Sequence, residues 1–91
     1  MSMNLNDAQF AILDTLYFVE PFDQIIEESG LPESVVKDEL RNLIAARWVQ
    51  VMAFDEASKD FVRSTLYDAD NMRDYHYLAT KEGLLKHSGR R

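Results

Sequence analysis

Read for its apolar positions, the chain falls into a helical half and an extended half. In the first half, apolar residues recur at helical spacing three times. Phe10, Leu13, Leu16 and Tyr17 mark the first helix. Asn6 is placed to accept from a first-turn N–H, and Gln9, three residues on, to reach back and close a capping box. Leu5 and Phe10 stand at the positions of a hydrophobic staple, and Asp7 faces the positive end of the helix dipole. Pro21 disfavours a helical Glu20, so this helix is expected to stop near residue 19. A second helix is predicted over about 21–29, with Pro21 in its first turn, Phe22, Ile25 and Ile26 on one stripe, and Gly30 closing it at positive φ. A third, opening at Pro32, is predicted over 33–46 with Val36, Leu40, Leu43 and Ile44 facing inward. At about 100° per residue the opposite face presents Ser34, Asp38, Arg41, Asn42 and Ala45, with Lys37 on its flank.

The second half changes period. "RWVQVMAF" is rich in strand formers and predicts a strand over 48–55. "DEASKD" and "DADNMRD" have turn chemistry, and "FVRSTLY" between them fits either a strand or a short ordered loop. "YHYLA" alternates as a strand does and is expected, within 74–79, to pair with the first strand. Thr80 is placed to cap a last helix, "KEGLLKH", whose basic end suits the dipole, and "SGRR" is expected to fray.

This order of three helices, a hairpin with a long tip and a short helix resembles the winged-helix branch of the helix-turn-helix transcription regulators. The likeness is carried by residues 25–49: a helix, a Gly-Leu turn, a helix with Val36 and Leu40 inward, and a strand opening at Trp48. "YLATKEGLLKH" adds to it, resembling the second wing strand and Thr-capped helix of small bacterial regulators of the multiple-antibiotic-resistance and PadR types. The resemblance covers roughly residues 6–87. It implies a single domain over 1–91, mainly α with a small β wing. It also implies a transcription regulator that reads double-stranded DNA with helix 33–46 and the wing, as a two-fold dimer. Candidate DNA contacts are Ser34, Lys37, Asp38, Arg41 and Asn42 on the helix, with Arg63 and Arg73 in the wing. Arg suits guanine, Asn suits adenine, and Asp38 can accept from a cytosine amino group. Tyr17, Phe18, Leu84 and Leu85 are the candidate homodimer surface.

Charge pulls the other way. The 91 residues carry a net charge of −6. Only residues 75–91 are net basic, at +3, while 20–47 carry −4 and 48–74 carry −3. A duplex repels such a chain at long range, and phosphate neutralisation supplies most of a DNA binder's affinity. Asp38 and Arg41, three apart on one face, are placed to pair and silence the arginine. The alternative reading is therefore an acidic winged-helix adaptor that binds protein and no duplex.

Other chemistry finds little support. The chain has no cysteine, which excludes disulfides and thiolate metal sites, and a reducing cytoplasm is the expected setting. "DADNMRD" offers Asp68 and Asp70 to a calcium loop, but Met72 falls where a ligand belongs, Arg73 where the turn needs glycine, and Ala79 where the closing Glu belongs. His76 and His87 are too far apart for a helical metal pair and read as surface or strand residues. With no nucleophile triad, phosphate loop or carboxylate dyad, no enzyme activity and no cofactor are expected. No signal peptide or membrane span is expected either, since "MSMNLNDAQF" has no basic segment ahead of an apolar stretch.

Overall fold

In the computed structural model, which describes residues 4–90, helix α1 spans Asp7–Asp14. Its start is fixed as the capping box predicts: the Gln9 N–H donates to Asn6 Oδ1 at 2.7 Å, and the Asn6 N–H to Gln9 Oε1 at 3.1 Å. Its end comes before the expected residue 19. The Thr15 hydroxyl donates to the Ile12 carbonyl at 2.8 Å, and the Thr15 and Leu16 N–H groups each bond three residues back. These tighter bonds close the helix and release residues 15–19 towards a sheet.

That sheet has four antiparallel strands in the order β1-β4-β2-β3: β1 (Glu20–Pro21), β2 (Val49–Asp55), β3 (Asp60–Arg63) and β4 (His76–Ala79). β1 pairs Glu20 with Tyr77 and Pro21 with His76, and the Ala79 N–H beside it donates to the Leu16 carbonyl. Proline is tolerated there because β1 is an edge strand. Pro21 therefore caps α2 (Phe22–Ser29) instead of entering its first turn. Gly30 ends α2 at φ 71°, in the left-handed region expected of it, and α3 runs Glu33–Ala45.

β2 pairs with β4 through Val49–Ala79 and Val51–Tyr77, and with β3 through Met52–Arg63 and Asp55–Asp60. The first strand of the hairpin thus finds its expected partner within 74–79, and β3 settles the open segment as a strand up to Arg63. Residues 64–75 form an excursion between β3 and β4 that includes a 3₁₀ turn at Met72–Asp74. α4 (Lys81–Arg90) continues through Ser88 and Gly89, which were expected to fray; Arg91 lies outside the described residues. Among the described residues no helix is long and apolar enough to cross a membrane.

The core lies between the helices and the sheet. Leu13, Leu16, Ile25, Val36, Leu40 and Leu43 meet Val49, Val51, Tyr77 and Ala79 there. Tyr77 is fully buried, donates from its hydroxyl to the Met72 carbonyl at 2.8 Å, and burial holds its phenol well above the ordinary tyrosine range. His87 corrects the expectation of a surface or strand residue. It is fully buried on α4, stacked on Phe10 at 4.3 Å, with Nε2 3.0 Å from Asp14 Oδ1 and Nδ1 2.9 Å from the Tyr17 hydroxyl. These contacts dock α4 onto α1. Thr80 caps α4 through the Gly83 N–H at 3.0 Å while donating to the Arg47 carbonyl at 2.8 Å.

Candidate functional site: the outer face of helix three and the concavities beside it

The outer face of α3 is where the helical spacing places it. Ser34, Asp38, Arg41 and Asn42 are exposed, and Lys37 is half-buried on the flank. Two of the expected roles change. Among the described residues no ion pair joins Asp38 to Arg41, so the guanidinium is not silenced in that way. Asn42, offered as an adenine reader, donates from Nδ2 to Glu39 Oε1 at 2.8 Å. Glu39 belongs to the α1–α3 junction: it also accepts from Asn6 Nδ2 at 2.6 Å and Gln9 Nε2 at 3.3 Å. The bond from Asn42, assisted by those from Asn6 and Gln9, holds its carboxyl below the usual glutamate range.

Arg73 is not a free wing cation. The excursion carries it to the N-terminal ends of α2 and α3. There its Nη2 and Nη1 grip Glu33 Oε1 and Oε2 at 2.6 and 3.2 Å, its Nε donates to Asp23 Oδ1 at 2.8 Å, and its guanidinium lies over the Phe22 ring at 5.3 Å. Both carboxylates stand in the first turns of their helices, where negative charge is already favoured, and the guanidinium bridges them. The hydrogen bonds from Arg73 hold Glu33 below its ordinary pKa, and its positive charge adds to the effect.

The rest of the excursion follows α3. At the C-terminal end of the helix, Tyr67 shares a concavity of about 570 Å³ with Asp38, Arg41, Asn42 and Ala45. At the N-terminal end, Asp70 and Asp74 line a cleft with Glu33, Lys37 and Phe22. One flank of α3 is therefore occupied by a segment carrying Asp68, Asp70 and Asp74.

Further along, past the C-terminal end of α3, lies a groove of about 710 Å³ between that end, β2 and the start of the excursion. Arg63 lines it from the end of β3, and Arg47 from the turn after α3. Tyr67 lines it too, so it adjoins the α3 concavity. Arg47 sits at φ 65°, a left-handed conformation that L residues adopt at a cost. Trp48 follows it, with the Lys86 Nζ 5.4 Å from its ring centroid.

The sequence reading missed Arg47, Tyr67 and the Asp23–Arg73–Glu33 clamp. Arg47 had a local signal, a cation just past an Ala-Ala helix end. The other two depend on where a loop lies and have no local signal. Of the candidate dimer residues, Phe18 and Leu85 are exposed, Leu84 packs on the core, and Tyr17 is half-exposed with its hydroxyl engaged by His87. No protein-family model, curated protein or solved structure matches the chain.

Proposed function

We propose that the chain is a protein-interaction module built on a winged-helix framework, in which α3 does not read duplex DNA. The framework is supported by strand adjacency. β2 and β4 stand as the two wing strands and β1 closes the sheet beside β4, with β3 and residues 64–75 inserted between the wing strands. The functional part rests on one observation, the course of that insert along α3. A helix that enters the major groove needs a clear outer face and positive charge beside it. Here Tyr67 flanks the face at one end, Asp70 and Asp74 flank it at the other, and Arg73 is spent on Glu33 and Asp23.

One observation favours the second reading, a DNA-binding transcription regulator. Arg41, Arg47 and Arg63 make no ion pair among the described residues and line adjoining concavities. A fluorescence-anisotropy titration with random-sequence duplex over a salt series separates the two. The proposal expects no saturable binding at low salt. Saturable binding would reverse it, particularly with a slope of log K against log salt near about −2.7, the value for three neutralised phosphates, and with marked weakening by Arg41→Ala.

A further inference from the structure

β3 is the last strand of the sheet, and the alternation of its ladder shows which of its backbone groups are in use. The Thr80 N–H donates to the Trp48 carbonyl at 3.0 Å on the β4 side of β2, and the Ser64 N–H to the Val51 carbonyl at 2.8 Å on the β3 side. Bonded pairs alternate along an antiparallel ladder. Continued from Ser64 and Val51, the register has Val62 and Asp60 exchanging bonds with Ala53 and Asp55. The backbone groups of Phe61 and Arg63 therefore point away from β2, where no strand lies among the described residues. Such an edge is a template for another strand. Asp60 guards half of it, since its Oδ1 accepts from the outward Phe61 N–H at 2.8 Å. The Arg63 backbone has no such cover among the described residues. The side chains add apolar surface: Val62 is 43% exposed, and the Phe61 ring meets the half-exposed Phe54 edge-on at 5.4 Å.

Charge and shape select the occupant. Phe61 and Arg63 project from one face of β3 and Val62 from the other. A second β3, related by a two-fold axis normal to the sheet, keeps like faces together and sets outward residues against outward residues. Three registers centred on residues 61–63 do so. With Phe61 opposite its own copy, Arg63 faces Lys59; with Arg63 opposite its own copy, two guanidiniums meet. Like charges directly opposite destabilise a strand pair. The register between these sets Phe61 against Arg63 twice and Val62 against Val62 once. It places each guanidinium beside a ring, and the exposed valines cover each other. It also stays within β3, clear of Lys59, whose φ of 57° breaks the extended run. We propose that β3 pairs antiparallel with β3 of a second copy in this register, joining the two four-stranded sheets into one. The Arg63 carbonyl of each chain takes the Phe61 N–H of the other from Asp60. This self-association goes beyond the reading of α3, because it uses the edge of the sheet and not the face of the helix.

The test is a concentration series of the ¹⁵N-labelled chain up to about 1 mM, read by sedimentation and by amide shifts. Association is expected, with shifts and slowed hydrogen exchange at Phe61 and Arg63. Arg63→Pro removes an outward N–H that the β2 ladder does not use, a place where an edge strand tolerates proline. It should leave the amide spectrum of the helices unchanged and weaken association by at least about tenfold. Asp60→Ala removes the competing acceptor from both copies and should tighten association by about tenfold. A monomer throughout the series in both the wild type and Asp60→Ala overturns the proposal. So does association that Arg63→Pro leaves unchanged, or shifts confined to Phe18 and Leu85, which would seat the second copy there instead.

Discussion

Arg73 bridges the carboxylates of Glu33 and Asp23 and lies over the Phe22 ring. The consequence is visible in pH dependence. Glu33 has a folded pKa below its ordinary value of 4.5, because Arg73 hydrogen-bonds and attracts its charged form. A depressed carboxylate stabilises the fold fully above the unfolded pKa and loses that contribution as pH falls through the folded one. Arg73→Met should therefore destabilise the protein near neutral pH, and the gap to wild type should close well below pH 4.5. Urea denaturation at the two pH values checks this, and a gap that persists in acid would assign the effect to packing on Phe22. Two glycines make a second residue-scale contrast. A Cβ on Gly83 would sit 2.0 Å from the Trp48 carbonyl oxygen, whereas Gly30, at φ 71°, has nothing within 4 Å of such an atom. Gly83→Ala should cost about 3 kcal/mol, the upper range for forced overpacking. Gly30→Ala should cost about 1 kcal/mol, from backbone strain alone. Chemical denaturation that ranks them the other way would contradict the close approach of α4 to Trp48.

Elements were legible where their signals were local. The capping box at Asn6 and Gln9, the left-handed Gly30, the inward Val36, Leu40 and Leu43, and the Thr80 cap all act within a few residues, and the structure places each as expected. β1 was not legible, because two residues containing a proline make no periodic signal; only its partner β4 defines it. The insert after β3 was not legible either, since its path is set by Arg73 reaching Glu33, 40 residues away in sequence. His87 reads as a polar residue near a helix end, and the groups that satisfy it lie 70 and 73 residues away. Truncating it tests how α4 is held. His87→Ala opens a hole against Phe10 and orphans the Asp14 and Tyr17 contacts, so a loss of about 2–4 kcal/mol is expected. Hydrogen exchange should rise first along α4. Uniform loosening of the whole fold instead would mean that α4 is part of the main cooperative unit.

At the scale of the molecule, charge and shape act on DNA separately, and they can be pulled apart. Non-specific duplex binding needs only cations near phosphates, whereas sequence reading needs the α3 side chains at base edges. Asp38 lies on the outer face of α3, while Asp70 and Asp74 line the cleft at its N-terminal end. Changing all three to Asn takes the net charge from −6 to −3 and leaves Arg41, Arg47 and Arg63 in place. The three carboxylates make no side-chain hydrogen bond or ion pair among the described residues, so the fold should survive. The expected result is weak binding that the wild type lacks, with a salt slope near about −2.7 for three phosphate contacts. It should be indifferent to sequence, because neutral side chains at 70 and 74 leave Tyr67 and the Arg73 clamp where they are beside α3. Anisotropy titrations with several unrelated duplexes read both features at once. Should the variant prefer one duplex over the others by tenfold or more, about 1.4 kcal/mol of discrimination, α3 must reach base edges past the insert. The course of that insert would then no longer carry the protein-interaction reading.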